Sequence, residues 1–133
     1  MKPPPFDYYR ARSAADAVGM LAERADEMKT WYRRAFGVEE NAMGAFELGA
    51  VQLFIEPHSE VSGPTLEPAR CIINLDVEDA EALAEHLRQL DTKFVRDVEQ
   101  ESFGLIGTVT DPDGNYVQII QWGATPEAHR QTP

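Results

Sequence analysis

Two five-residue segments of the chain follow one pattern, and this repetition restricts the folds that the chain can adopt. Residues 51–55 and residues 117–121 are both apolar runs entered from a turn. Each has glutamine in second place, Gln52 in the first run and Gln118 in the second. Because a recurring pattern predicts a recurring structural unit, we expect two copies of one unit built around these strands.

Length and composition favour a single domain made of these two units. The chain has 133 residues, of which 43% are hydrophobic, enough for the core of one domain. It has no apolar run of the roughly 18 residues that a membrane span needs. The opening Met-Lys-Pro-Pro-Pro sequence also lacks the apolar stretch of a secretory signal. These features predict a cytoplasmic protein with no membrane partner.

The chain is strongly acidic. It carries 23 Asp and Glu against 12 Lys and Arg, a formal net charge of -11. Such a charge repels the phosphates of nucleic acids and the surfaces of anionic membranes, and it attracts cationic ligands. We therefore expect no nucleic acid partner. The alternative reading of the acidity is that it serves solubility alone.

The chain has a single cysteine, Cys71, which cannot form an internal disulfide. No second cysteine stands near it to complete a thiolate metal site. We expect Cys71 to be a small buried thiol.

The first unit follows a Pro-rich and aromatic extension over residues 1–15. Its elements are predicted as a strand over residues 17–23, a helix over 25–36 that ends at Gly37, and strands over 42–49 and 51–56. Local propensity alone favours one helix from Ser13 to Arg34, because Ala, Met, Leu, Glu and Arg dominate there. The place of residues 17–23 in the repeat favours a strand instead.

The second unit follows a connection over residues 57–69 that holds three prolines and Gly63. Its elements are predicted as a strand over residues 71–77, a helix over 79–90, and strands over 93–100, 105–110 and 116–122. The helix carries an apolar stripe of Leu83, Leu87 and Leu90. Between the last two strands, residues 111–115 read Asp-Pro-Asp-Gly-Asn, which is typical of a tight turn.

The chain resembles the vicinal oxygen chelate superfamily of glyoxalases, bleomycin-resistance proteins and extradiol dioxygenases. Three stretches carry the resemblance: residues 17–37, which end in Trp-Tyr-Arg-Arg-Ala-Phe-Gly, residues 71–87, and residues 111–118 with their tight turn. The resemblance implies an α+β fold in which two βαβββ modules form a half-open cup of eight strands, and it implies a homodimer. On this basis the domain covers residues 16–124, with module one at 16–56, a linker at 57–69, module two at 70–124 and a tail at 125–133.

Metal-dependent members of this superfamily hold a divalent ion with four side chains, often His on the first strand of each module and Glu on the last. In this sequence the four positions fall on Ala17, Gln52, Ile72 and Gln118. Ala and Ile have no donor atom, and neutral amide oxygens are poor ligands for ions that prefer imidazole or carboxylate. The resemblance therefore implies that the metal site is lost, and we expect no cofactor.

Neighbouring residues do not restore such a site. A one-residue shift brings in Asp16 or Cys71, whose side chains would point to the opposite face of the strand. A two-residue shift brings in Arg70 or Asn74, neither of them a common ligand. The three histidines are predicted to lie elsewhere: His58 after the fourth strand, His86 within the second helix and His129 in the tail.

The lining of the cup is then expected to bind a small molecule through aromatic, amide and carboxylate side chains. Alternation along the strands assigns to this lining Gln52, Phe54, Glu56, Asn74, Asp76, Tyr116, Gln118, Ile120 and Trp122. Such a surface suits a polar, flat or cationic ligand. The alternative is that Phe54, Ile120 and Trp122 only fill the cup or the seam of a dimer.

Three functions remain open at this point. In the first, the protein binds an unidentified small molecule in the manner of the bleomycin-resistance branch and performs no reaction. In the second, it is a glyoxalase- or dioxygenase-like lyase, isomerase or oxidoreductase, with a non-standard metal site at Glu56 and His58 or with Glu56 or Asp76 as a metal-free general base. In the third, it is a purely structural or regulatory module. The identities of Ala17 and Ile72 favour the first.

Overall fold

Strands and helices follow one another in two similar series in the computed structural model, which describes residues 17–123. The first series consists of β1 (Ala17–Ala22), α1 (Ala25–Phe36), β2 (Ala45–Leu48) and β3 (Val51–Pro57). A short 3₁₀ turn at Pro68–Arg70 precedes the second, which consists of β4 (Ile73–Asp76), α2 (Ala80–Gln89), β5 (Phe94–Glu101), β6 (Gly104–Thr110) and β7 (Tyr116–Trp122). The predicted elements therefore lie where the repeat placed them.

Each series forms one sheet. The strand order is β1-β3-β2 in the first sheet and β4-β7-β6-β5 in the second. In both, the first strand of the module runs parallel to the last, and the other neighbours are antiparallel. Within residues 17–123 the two sheets do not close into a barrel, and the expected α+β fold of two related modules is confirmed.

The first module differs from the second by one strand. Where the cup would have its eighth strand, residues 17–123 hold only an isolated antiparallel bridge between Glu40 and Phe46. At the loop end of this bridge, Oδ1 of Asn41 accepts hydrogen bonds from the backbone N–H groups of Met43 and Ala45 and so closes the turn.

The ends of the two helices follow from local sequence. Gly37 ends α1 with a φ of 64°, in the left-handed region that glycine adopts without strain, and its N–H donates to the carbonyl of Arg33. Asp79 begins α2, because its carboxylate accepts from the N–H of Ala82. Both helices are thus bounded at the predicted positions.

The weakest prediction, that the chain opens with a strand, is also confirmed. Alternate residues of β1, Val18, Met20 and Ala22, pack on the core. Burial of these side chains requires a period of two, and that requirement outweighs the helix propensity of the segment.

One hydrophobic core joins the modules. Its most buried members are Ala22, Ala25, Met28, Tyr32, Ala35, Phe46, Leu53, Ile55, Leu87, Val109 and Val117. The last three belong to the second module, so α1 packs against residues of both sheets. Trp31 and Tyr32 are core residues, as expected, with their rings in edge contact at 4.8 Å.

A buried hydrogen bond also links the modules. The hydroxyl of Tyr32 on α1 donates to Oδ2 of Asp111, in the turn before β7, at 2.8 Å. Oδ1 of Asp111 accepts from the backbone N–H groups of Asp113 and Asn115, and the Asn115 side chain donates to both oxygens. Asp111 is only 4% exposed, and its burial raises the pKa of its carboxyl group despite these bonds.

The linker binds both modules through its backbone. The N–H of Gly63 donates to Glu23 of module one, and the N–H of Thr65 donates to the carbonyl of Asp113 in module two. Cys71 lies just after this linker and is exposed, so the prediction of a buried thiol was wrong. The reason is that β4 begins only at Ile73, which leaves Cys71 outside the sheet.

None of the helices in residues 17–123 is long and apolar enough to span a membrane. The extension over residues 1–15, the tail over 125–133 and His129 lie outside the described residues.

We expect Tyr32→Phe to lower the free energy of unfolding by about 1.5–3 kcal/mol, the usual contribution of a hydrogen bond to a charged group. Urea denaturation measures this change. Tyr116→Phe is the matched control, because the hydroxyl of Tyr116 has no hydrogen bond to any residue from 17 to 123. Equal losses in the two variants would contradict the assignment.

The pKa of Asp111 predicts a pH dependence of stability. Burial raises this pKa above its ordinary value of 3.8, so the folded protein holds the proton more tightly than the unfolded chain does. The stabilisation is complete below pH 3.8 and is lost as the pH rises through the folded-state pKa. The unfolding free energy of the wild type minus that of Asp111→Asn should therefore fall as the pH rises, in urea titrations across that range. A difference that increases with pH would contradict this prediction.

Candidate functional site

Each sheet has an inner face, defined as the face that points away from the helices. On β3, Leu53 and Ile55 are buried in the core, so the intervening Gln52, Phe54 and Glu56 lie on the inner face. Glu56 is exposed, and Gln52 and Phe54 are half-buried. The structure therefore brings these three predicted site residues together in the first module.

The second sheet presents its predicted residues in the same way. On β7, Val117 and Ile119 are buried against the helices, so Tyr116, Gln118, Ile120 and Trp122 lie on the inner face. On β4, Ile73 and Leu75 pack on the core, and Asn74 and Asp76 share the inner face with the β7 residues. Ile120 is only 7% exposed, so little of its side chain can meet a ligand.

The strand register pairs two of the four family metal positions with each other in module one but not in module two. Ala17 is the partner of Gln52, but the partner of Gln118 is Asn74 and not Ile72, which precedes β4. The interval from Asn74 to the start of α2 at Ala80 is thus two residues shorter than the interval from Ala17 to the start of α1 at Ala25. Helix spacing predicts Ile72 as the third position, whereas strand pairing puts Asn74 beside Gln118.

The residues at these positions do not fit a divalent metal ion. Ala17 and Ile72 supply no donor, and Asn74, which the register puts beside Gln118, supplies only a neutral amide. Oε1 of Gln52 already accepts a hydrogen bond from Asn41 Nδ2 at 2.9 Å. His58 lies near Glu56 in sequence, but its Nδ1 accepts from the backbone of Glu60 in its own loop. Over the described part of the chain, no three His, Cys, Asp or Glu side chains are grouped in a way that could hold a metal.

The sequence analysis assigned no residues of β5 or β6 to the inner face, but the structure places several there. Thr108 pairs with Gln118 and with Arg96, and Ile106 pairs with Ile120 and with Glu99. Counting back through the hairpin from Gln118 would have found Thr108. The β5 residues could not be found in this way, because register shifts between Phe94 and Arg96 and between Arg96 and Glu99 break the alternation.

Four of these inner-face residues form a patch at the centre of the second sheet, and charged residues of β5 lie along its border. We call Ile106, Thr108, Gln118 and Ile120 the floor; Thr108 is 4% exposed, and Ile106 is 7% exposed. At the border on β5, Arg96 binds Glu99 at 3.0 Å and also pairs with Glu101. Hydrogen bonds to Glu99 and Glu101 raise the pKa of Arg96. The floor itself offers the side-chain polar groups of Thr108 and Gln118.

An exposed tryptophan borders the floor at the end of β7. Trp122 is 58% exposed, and its indole N–H donates to Oδ1 of Asp76 at 2.6 Å. The ring of Phe103 lies 5.2 Å from the ring of Trp122. The indole N–H is thus fixed by Asp76 and the ring contacts Phe103, while more than half of the residue remains exposed.

A cavity of about 490 Å³ lies beside β4, between the two modules. Its lining comes from the end of α1, the β2–β3 hairpin and β4: Phe36, Val38, Glu47, Leu48, Gly49, Ala50, Val51, Asn74, Leu75, Asp76 and Val77. Of the predicted site residues, only Asn74 and Asp76 line it. A second hollow of about 360 Å³ lies on the helical side, next to Trp31 and Leu90.

Comparison with known proteins identifies related sequences and structures. The family model of the glyoxalase/bleomycin resistance protein/dioxygenase superfamily matches residues 14–119. No curated protein sequence gave a significant match.

Several solved structures have a similar fold. A glyoxalase/bleomycin resistance protein/dioxygenase family enzyme from Burkholderia phytofirmans PsJN is 15% identical with a TM-score of 0.67, over 83% of this chain and 99% of its own. An antibiotic-binding protein from Streptomyces sp. CB03234 is 14% identical with a TM-score of 0.64, over 85% and 98%. The trypanothione-dependent glyoxalase I of Leishmania major is 21% identical with a TM-score of 0.61, over 82% and 86%.

The register between β4 and β7 predicts which residue of the second module could bind a metal ion together with position 118. We expect the double variant Asn74→His, Gln118→Glu to bind Ni²⁺ roughly tenfold more tightly than Ile72→His, Gln118→Glu, because only position 74 lies beside position 118. Isothermal titration calorimetry measures both affinities, with wild-type protein as the baseline for the native histidines. Equal affinities, or tighter binding with the substitution at position 72, would show that the register is wrong.

Proposed function

Because the chain belongs to the glyoxalase/bleomycin resistance protein/dioxygenase superfamily, we propose that it binds a small molecule without the help of a metal ion. One observation carries this proposal: Ala17 has no donor atom, and neither residue assigned to the matching position of module two is a good ligand, since Ile72 has no donor and Asn74 offers only a neutral amide. The amide of Gln52, at a third position, is occupied by Asn41. Lewis-acid chemistry at these positions would need donors that the side chains do not supply.

The surfaces near the inner face favour an aromatic or cationic ligand. Trp122 offers an exposed indole surface, and carboxylates such as Glu56 and Asp76 lie on the same faces. A flat ring can stack on such an indole, and a cation is attracted both to its π-surface and to the carboxylates. The fold relative from Streptomyces sp. CB03234, an antibiotic-binding protein, makes sequestration a reasonable role. The homodimer that the resemblance implies is part of the same proposal.

We expect purified protein to contain no stoichiometric Zn, Ni, Fe or Mn, and to bind members of a library of small aromatic and cationic molecules equally well with and without EDTA. Elemental analysis measures the first, and tryptophan fluorescence titration measures the second. The chain has two tryptophans, so a Trp31→Phe background leaves Trp122 as the sole reporter beside the floor. Trp122→Phe, which keeps only the core tryptophan, is the matched control.

Three results would count against this function. About one metal ion per chain would contradict metal independence. Turnover of the methylglyoxal–glutathione adduct that is stimulated by metal and lost in Glu56→Gln would favour the enzyme. The absence of any saturable binding across the library would favour a structural or regulatory module.

A further inference from the structure

Two carboxylates line the cavity between the modules, and both are held by neutral donors. Oε1 of Glu47 accepts from Nδ2 of Asn41 at 3.2 Å and from Nε2 of Gln52 at 3.4 Å. Oδ1 of Asp76 accepts from the indole N–H of Trp122 at 2.6 Å. Amide and indole donors orient a carboxylate but do not neutralise its charge.

No cationic side chain compensates these two groups in the described part of the chain. The ion pairs there join other carboxylates to Arg24, Lys29, Arg33, Arg70, Arg88 and Arg96. Glu47 and Asp76 are exposed and have no ion-pair partner among residues 17–123, in a protein whose net charge of -11 adds to the local potential. A cation that enters the cavity would be attracted to both carboxylates.

Apolar side chains form part of the rest of the wall. Phe36 comes from the end of α1, Val38 from the loop after it, Leu48 from β2 and Val77 from the residue after β4. The volume of about 490 Å³ lies within the range of roughly 300–1,000 Å³ that is typical of small-molecule pockets. The lining of this cavity therefore includes both apolar side chains and carboxylates.

We propose that this cavity, and not the floor, holds the ligand, and that the ligand is an organic cation with an apolar body. The inference rests on the proposed binding function and adds the site and the chemical class. The cationic group lies against Glu47 and Asp76, and the apolar body contacts Phe36, Val38 and Leu48. Trp122 is a positioning residue, because it holds the carboxylate of Asp76.

Calorimetric titration with 9-aminoacridine, a planar cation, and with acridone, its neutral analogue, tests the inference. We expect saturable binding of the cation, and affinity for it that falls about three- to tenfold in each of Glu47→Gln and Asp76→Asn. Both substitutions keep the shape of the side chain and remove its charge. Glu60→Gln is the control for the loss of net charge, since Glu60 is an exposed linker residue that does not line the cavity.

The outcomes separate this inference from the proposed function. Weaker binding of the cation in both cavity variants, with Glu60→Gln like wild type and acridone weaker than the cation, supports the inference. Unchanged binding in the cavity variants together with loss in Gln118→Leu places the ligand on the floor, which overturns the inference and leaves the binding function intact. No saturable binding of 9-aminoacridine to wild type, or an equal loss in Glu60→Gln, also overturns the inference, whatever other library members bind.

Discussion

The alternation of side chains along β3 and β7 is the constraint on which the rest of the molecule depends. Leu53 and Ile55 must face α1, and Val117 and Ile119 must face the helical side of the second sheet, because a one-residue slip would expose them all. Burial of each such side chain is worth about 1.5–3 kcal/mol, so the register is firmly set. The polar residues between them, Gln52 and Gln118 included, are thereby forced onto the inner faces.

The modules are held together by a core and by one buried polar contact. The core alone is not directional, since apolar packing allows small rotations of one sheet against the other. The bond from Tyr32 to Asp111 adds a defined distance between α1 and the turn before β7. Because Asp111 is buried and accepts donors from both modules, that turn is a structural joint as well as a connection between strands.

The sequence was sufficient for the fold because its signals repeat. The glutamine-bearing strands, Gly37 at the end of α1 and the turn at residues 111–115 each agree with the tertiary structure, and the repeat even identified β1 against local helix propensity. Cys71 was misplaced because no local signal shows that β4 begins two residues later. The third family position was assigned by spacing to a helix, and only strand pairing reveals that Asn74 lies beside Gln118.

The candidate site was harder to predict than the fold. Residues on one strand follow from alternation, but Arg96 and Glu99 lie on a strand with shifted register, and Glu47 lines a cavity that lies between the modules. Such contacts depend on how two units pack, which no short motif records. The position of Thr108 on the floor could have been predicted by counting residues through the β6–β7 hairpin. The residues that line the cavity could not be predicted without the three-dimensional structure.

The two-residue offset between the modules has a consequence for any guest of this protein. A duplicated unit with matching register has an approximate twofold axis, and a molecule placed on such an axis can sit equally well in two opposite poses. Here Ala17 stands beside Gln52 where Asn74 stands beside Gln118, and the aromatic corner at Trp122 comes from one module only. The pseudo-symmetry is broken. The two opposite orientations of a bound molecule would therefore make different contacts with the protein and differ in free energy.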